Sequence, residues 1–167
     1  MRLRPVSIFG VLLALSAPTR LLHAQATAVA AVVQLYRDYA WEAVIDEPTE
    51  SNLELMGQPR RVLARYFEDS LTTLILADRA CARVHGECNL DFSPIWDGQD
   101  PSGSAEMHIA ATADHAVVAV TFRYLPNNQV IHLSYRMTRT VKGWRIHDIV
   151  SPRGWSLLAV LRAPESQ

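Results

Sequence analysis

The chain has almost no lysine. Lys142 is the only one in 167 residues, and the other basic side chains are arginines. Basic and acidic residues nearly balance, at 16 against 17. Binding to phosphate backbones needs clustered Lys and Arg, so no nucleic-acid partner is expected. Cysteine is scarce as well. Only Cys81 and Cys88 are present, so no cysteine stands near the end of the apolar N-terminal run, which excludes lipid attachment at a mature N-terminal cysteine. Long hydrophobic runs are missing. The apolar stretch from Val6 to Ala17 is well short of the roughly 20 residues that a membrane span needs. G-x-S-x-G, H-E-x-x-H and phosphate-loop motifs are absent, so nucleophilic catalysis by serine or cysteine has no support. Internal repeats and low-complexity tracts are absent too. No metal and no cofactor are expected.

What is present begins with a basic Met1-Arg2-Leu3-Arg4, the short apolar run, a break at Pro18 and small residues at Ala24 and Ala26. That order describes a secretory signal peptide over residues 1–26, cleaved after Ala24 or Ala26. Removal takes three arginines and no acid, leaving 13 basic against 17 acidic residues, a net charge of −4. The product is expected to be periplasmic or secreted, with no membrane anchor after cleavage. About 140 residues then remain, enough for one domain with a single core over 27–165.

Outside the cytosol, the spacing in "CARVHGEC" predicts a Cys81–Cys88 disulfide. A continuous helix would hold the two about 10 Å apart, too far to bond. The helix must therefore end between them, and Gly86 is the natural stop. A catalytic or metal-binding pair lacks the C-x-x-C spacing and a second ligand pair.

Apolar residues at Val29, Val32, Val33, Tyr36, Ala40, Ala43 and Val44 form one helical face, ended by Pro48. A second helical pattern starts after Pro59 and runs to about Arg83 through Val62, Leu63, Tyr66, Phe67, Leu74 and Ile75. From Met107 onward the period becomes 2. Four strands follow, joined by turns at "YLPNNQ" and Lys142-Gly143, and "SPRGWSLLAVLRA" reads as a short closing helix. The expected fold is α+β: two N-terminal helices packed on a curved antiparallel sheet of about four strands, with a short C-terminal helix. A strongly curved sheet wrapped round such helices gives a cone with a pocket at its open end.

The segments "VVQLYRDYAWE", "YFEDSLTTLILAD", "LDFSPIWDGQD", "GWRIHDIV" and "GWSLLAVL" form a set. Together they resemble bacterial envelope proteins of the nuclear transport factor 2-like superfamily, in a branch catalogued as a domain of unknown function. The resemblance spans nearly the whole mature chain. It implies the curved-sheet cone and an extracytoplasmic site, and it implies no activity, because fold does not fix function. Ser93 stands where that family's loop more often has aspartate before the proline, which weakens a metal reading by analogy.

Three groups of residues are candidates for chemistry. The loop "LDFSPIWDGQDPSG" carries Asp91, Asp97 and Asp100. These side chains cap turns, form the lip of a pocket, or supply oxygens to calcium, although the spacing is not that of a calcium loop. Phe92, Ile95 and Trp96 are too apolar to stay in water and should pin the loop onto the end of the cone. Asp148 falls two residues from Ile146 and four from Trp144, on what reads as the buried strand face. It is either a structural tie to Arg37 or to a helix terminus, or a general base with a raised pKa. The opposite sheet face collects His108, Thr121, Arg123, His132, Ser134, Arg136, Arg145 and His147. A solvated face explains them most simply; zinc ligation by histidines and a surface for an acidic or anionic partner are the other readings. The expected function is an envelope accessory module that holds an apolar ligand or an unknown envelope protein at the lip. Its contacts would be Tyr36, Tyr39, Trp41, Trp96 and Trp144 together with the loop aspartates. The alternative is a small isomerase, dehydratase or hydrolase with Asp148 as base. A homodimer through the sheet is compatible with either.

Overall fold

The first helix begins where Thr27 can cap it. Its Oγ1 accepts from Ala30 N at 3.1 Å, and helix α1 then runs Ala28–Tyr39 with Ala28, Val32, Leu35, Tyr36 and Tyr39 buried along one face. The computed structural model describes residues 27–44, 53–99 and 102–164. The segment read as a signal peptide, Pro48 and Asp100 lie outside the described residues. A 3-10 turn, Ala40–Ala43, extends α1, and another spans Leu55–Gly57.

The second helical pattern is not one helix. Helix α2 is a single turn, Arg60–Leu63, and helix α3 runs Asp69–His85. Between them the chain straightens and pairs with a strand: Ile146 N donates to Tyr66 O at 2.7 Å, and Glu68 N donates to Ile146 O at 3.0 Å. The 3.6-residue period passes through this break, because Tyr66 and Phe67 are buried in either conformation. The edge of that strand needs partners for its N–H and C=O groups, and this need wins over helical continuity. Helix α3 ends at Gly86, whose φ is +88°. The chain turns back there, and Cys81 and Cys88 form a disulfide with a Cα separation of 5.9 Å.

The sheet has five antiparallel strands in the order β1-β2-β3-β4-β5. They are β1 Ser104–Ala111, β2 Val117–Tyr124, β3 Gln129–Thr140, β4 Gly143–Ser151 and β5 Trp155–Ser156. The β2–β3 turn places Asn128 at φ +59°, and the β3–β4 turn places Gly143 at φ +98°. The fifth strand is the difference from the expected four. Trp155 and Ser156 pair with Ser151 and Val150, and two residues are too few to show a period of 2. Helix α4, Leu157–Arg162, follows at once.

Helices and sheet share one core. Val118, Val120 and Phe122 from β2, Leu133, Tyr135 and Met137 from β3, and Ile146 and Ile149 from β4 lie buried with the α1 stripe. Each fully buried aliphatic side chain contributes about 1.5–3 kcal/mol. The other sheet face is open, with His108, His132, Ser134 and Arg136 exposed.

A bulge in β4 decides the position of Asp148. Met137 pairs with Ile146, but Arg136 pairs with Asp148, so His147 is an extra residue on β4. One inserted residue turns the following side chains to the opposite face. Ile149, opposite Tyr135, takes the inner position. Asp148 shares the face of Arg136 rather than that of Ile146, which corrects the strand-face assignment made from strict alternation.

Candidate functional site

The inner face of β3 reads Ile131, Leu133, Tyr135 and Met137, all buried. The next inward position is Arg139, which is exposed and lies opposite Trp144 of β4. Among the described residues, only the first turn of α1 reaches this end of the sheet. A groove of about 310 Å³ opens there, at the small end of the roughly 300–1,000 Å³ that ligand sites occupy. Ala28, Val29, Ala111, Val117 and Val118 give it an apolar lining, and Trp144 adds an aromatic surface. Arg139 and His115 are its charged or titratable side chains. The Arg139 guanidinium lies over the Trp144 ring, 5.9 Å from its centroid. Among the described residues, neither Arg139 nor His115 has a carboxylate within ion-pairing distance.

The opposite end of the sheet holds the loop of Asp91 and Asp97. There the chain inserts into the core. Ile95 and Trp96 are buried, and Trp96 meets Tyr36 and Phe122 edge-on at ring-centroid distances of 5.3 and 5.5 Å. The Tyr36 hydroxyl donates to Ile95 O at 2.7 Å, and the Tyr135 hydroxyl lies 2.7 Å from it. A hydroxyl has one proton, so Tyr135 donates to Tyr36. Burial pushes both phenols well above their ordinary value.

Glu42 completes this cluster. Trp96 Nε1 donates to one carboxylate oxygen at 3.0 Å, and Leu55 N donates to the other at 2.8 Å. Burial raises its pKa, and the Leu55 N–H and the Trp96 indole pull against that rise. Glu42 was missed in the sequence. Its only signal is an acid at the end of the apolar stripe in "DYAWE".

The residues expected at a lip therefore separate. Tyr36 and Trp96 lie inside the core, and Tyr39 packs on Tyr66 at 5.8 Å. Trp41 is half-buried on the 3-10 turn. Trp144 alone lines the groove, at the other end of the sheet. Asp91 is exposed and accepts from Gln99 Nε2 at 3.4 Å. Asp97 is buried at φ +57° and accepts from Trp155 Nε1 at 2.6 Å and Ser151 Oγ at 3.1 Å. Arg153 donates to the Asp97 carbonyl at 2.9 Å. Asp97 thus ties the loop to β5. Arg139 was also missed, although it breaks the apolar alternation of β3.

Asp148 is 2% exposed and serves helix α4. Leu158 N donates to Oδ1 at 3.0 Å and Ser156 Oγ donates to Oδ2 at 2.8 Å. Arg136 Nη1 stands 3.7 Å from Oδ2. Of the two structural ties considered for Asp148, the contact is with a helix terminus; the arginine beside it is Arg136, not Arg37.

The histidines of the outer face do not converge. His108 and His132 flank Thr121 from two different strands, roughly 10 Å apart at normal strand spacing. His132 Nδ1 meets Thr121 Oγ1 at 3.2 Å, and His147 Nδ1 meets Glu68 Oε1 at 2.7 Å. Among the described residues no three His, Cys, Asp or Glu side chains are grouped to hold a metal, and no helix is long and apolar enough to cross a membrane. Comparison with protein-family models, curated proteins and solved structures finds no match to this chain.

Proposed function

We propose that this protein is a secreted or periplasmic binding module of the nuclear transport factor 2-like kind, which takes a small apolar ligand in the groove beside Trp144. On this reading the sheet curves round α1 as a cone, and the groove is its open end. One observation carries the proposal. The apolar inner face of the sheet continues past the start of α1 and opens, at Ala111, Val118 and Trp144, into a volume of about 310 Å³. An apolar cavity with few polar groups is the usual form of a small-molecule site. The extracytoplasmic location is supported by the basic, apolar and small-residue order of the N-terminal segment and by the Cys81–Cys88 disulfide. The outer sheet face, exposed at His108, His132 and Arg136, is the surface that an envelope partner or a second copy would use.

The enzymatic alternative needs a buried carboxylate free to take a proton. Both oxygens of Asp148 and both oxygens of Glu42 already accept hydrogen bonds from the protein. No observation favours it.

The test is a titration of the ¹⁵N-labelled protein with 1-octanol. Saturable shifts at the amides of Ala28, Ala111 and Val118 and at the Trp144 indole are expected. Ala111→Trp, which fills the groove from an exposed position, should abolish them. Octanol shifts that never saturate, or that survive Ala111→Trp, would remove the groove as a ligand site.

A further inference from the structure

We propose that the groove is built for an amphiphile with an anionic head, an alkyl or aryl monocarboxylate, whose carboxylate pairs with Arg139 while its apolar body lies against Trp144, Ala111 and Val118. The inference rests on the groove being the ligand site and adds the class of ligand. Its first ground is a position. Inward-facing residues of β3 are apolar at Ile131, Leu133, Tyr135 and Met137, and burial selects for that. Arg139 continues the same face and puts a guanidinium where the apolar surface meets water.

The second ground is charge. The groove lining includes no acidic side chain. Among the described residues no carboxylate pairs with Arg139; its contact is the Trp144 ring. Arginine is suited to this use, because its planar fork meets a carboxylate with two parallel N–H bonds while its flat face stays on an aromatic ring. The first turn of α1 also borders the groove and contains no acid. The N–H groups of Ala28 and Val29 have no acceptor within the helix, and they add to the positive field. A neutral apolar ligand would leave Arg139 to water, and a cationic one would be repelled.

The experiment compares octanoate with 1-octanol on the full chain, by the same ¹⁵N titration. Octanoate should bind at least about tenfold more tightly than octanol, as one charge-assisted hydrogen-bonded pair warrants. Arg139→Gln should bring the ratio of the two affinities close to one, and Arg139→Lys should keep it well above one. Equal affinities in the unmodified protein would overturn the anionic head while leaving the groove as an apolar site. A tenfold ratio that survives Arg139→Gln would overturn the assignment to Arg139. Absence of saturable binding by both compounds would overturn the groove reading itself.

Discussion

Asp148 and Glu42 are both buried carboxylates, and each is held by two donors. Their environments make different predictions. Asp148→Asn keeps the size and can still accept from Leu158 N, but its amide must then donate to Ser156 Oγ, reversing that bond, and the charge facing Arg136 is lost. Replacing these charge-assisted contacts with neutral ones should cost about 1–3 kcal/mol in urea unfolding. A variant as stable as the parent, or more so, would show that the carboxylate is not a tie to α4. Glu42 is tested by pH. Its folded pKa is raised by burial, so between the ordinary carboxylate range, about 4.3, and the raised value the folded state binds more protons than the unfolded one. Its contribution is fully present below that window and is lost as pH rises through it. Relative to Glu42→Gln, the parent protein should lose stability with rising pH, at no more than about 1.4 kcal/mol per pH unit. Replacement by Gln adds a constant offset, so the difference in slope is what counts, and parallel curves would contradict the account. Asp148 was visible in the sequence as a buried acid, but its face was not. The bulge at His147 has no signature in "GWRIHDIV", because His147 is polar and exposed whichever register the strand takes.

At the scale of elements, the aspartate-rich loop is a plug. Asp97 is bonded to Trp155 and Ser151, Ile95 O accepts from Tyr36, and Trp96 fills the space between Tyr36 and Phe122. Trp96→Ala should therefore behave as a large-to-small core change, costing about 3–5 kcal/mol. A loss well under 1 kcal/mol would make Trp96 a surface lid instead. The sequence showed that this loop could not float, since Phe92, Ile95 and Trp96 are apolar. It could not show how deep the side chains go, because depth depends on Glu42 and Tyr36 arriving from α1 and its 3-10 extension. Strand and helix types were legible from their periods, as was the helix stop at Gly86 from the disulfide spacing. Two features with no local signal were not: the break between α2 and α3, imposed by the edge of β4 at Ile146, and the two-residue β5.

Across the whole molecule, the antiparallel sheet has two ends with opposite characters. One is closed by the loop of Ile95, Trp96 and Asp97 and by the hydrogen-bonded cluster of Tyr36, Tyr135 and Glu42. At the other, among the described residues, the first turn of α1, Trp144 and Arg139 border the groove. The sequence offered aromatic residues for a binding site but not the end to which each belongs. That follows from strand direction, which brings the C-terminal end of β3 beside the start of β4. On the proposed function, ligand binds at the Trp144 end. Four tryptophans report on it, and Trp96 and Trp155 have their indole N–H groups fixed on Glu42 and Asp97. The most direct measurement follows the four indole ¹⁵N–¹H signals during addition of octanoate. A saturable shift of Trp144, with Trp96 and Trp155 unmoved, is expected; a shift of Trp96 with Trp144 unmoved would overturn the groove at Trp144 and place the mouth at the loop.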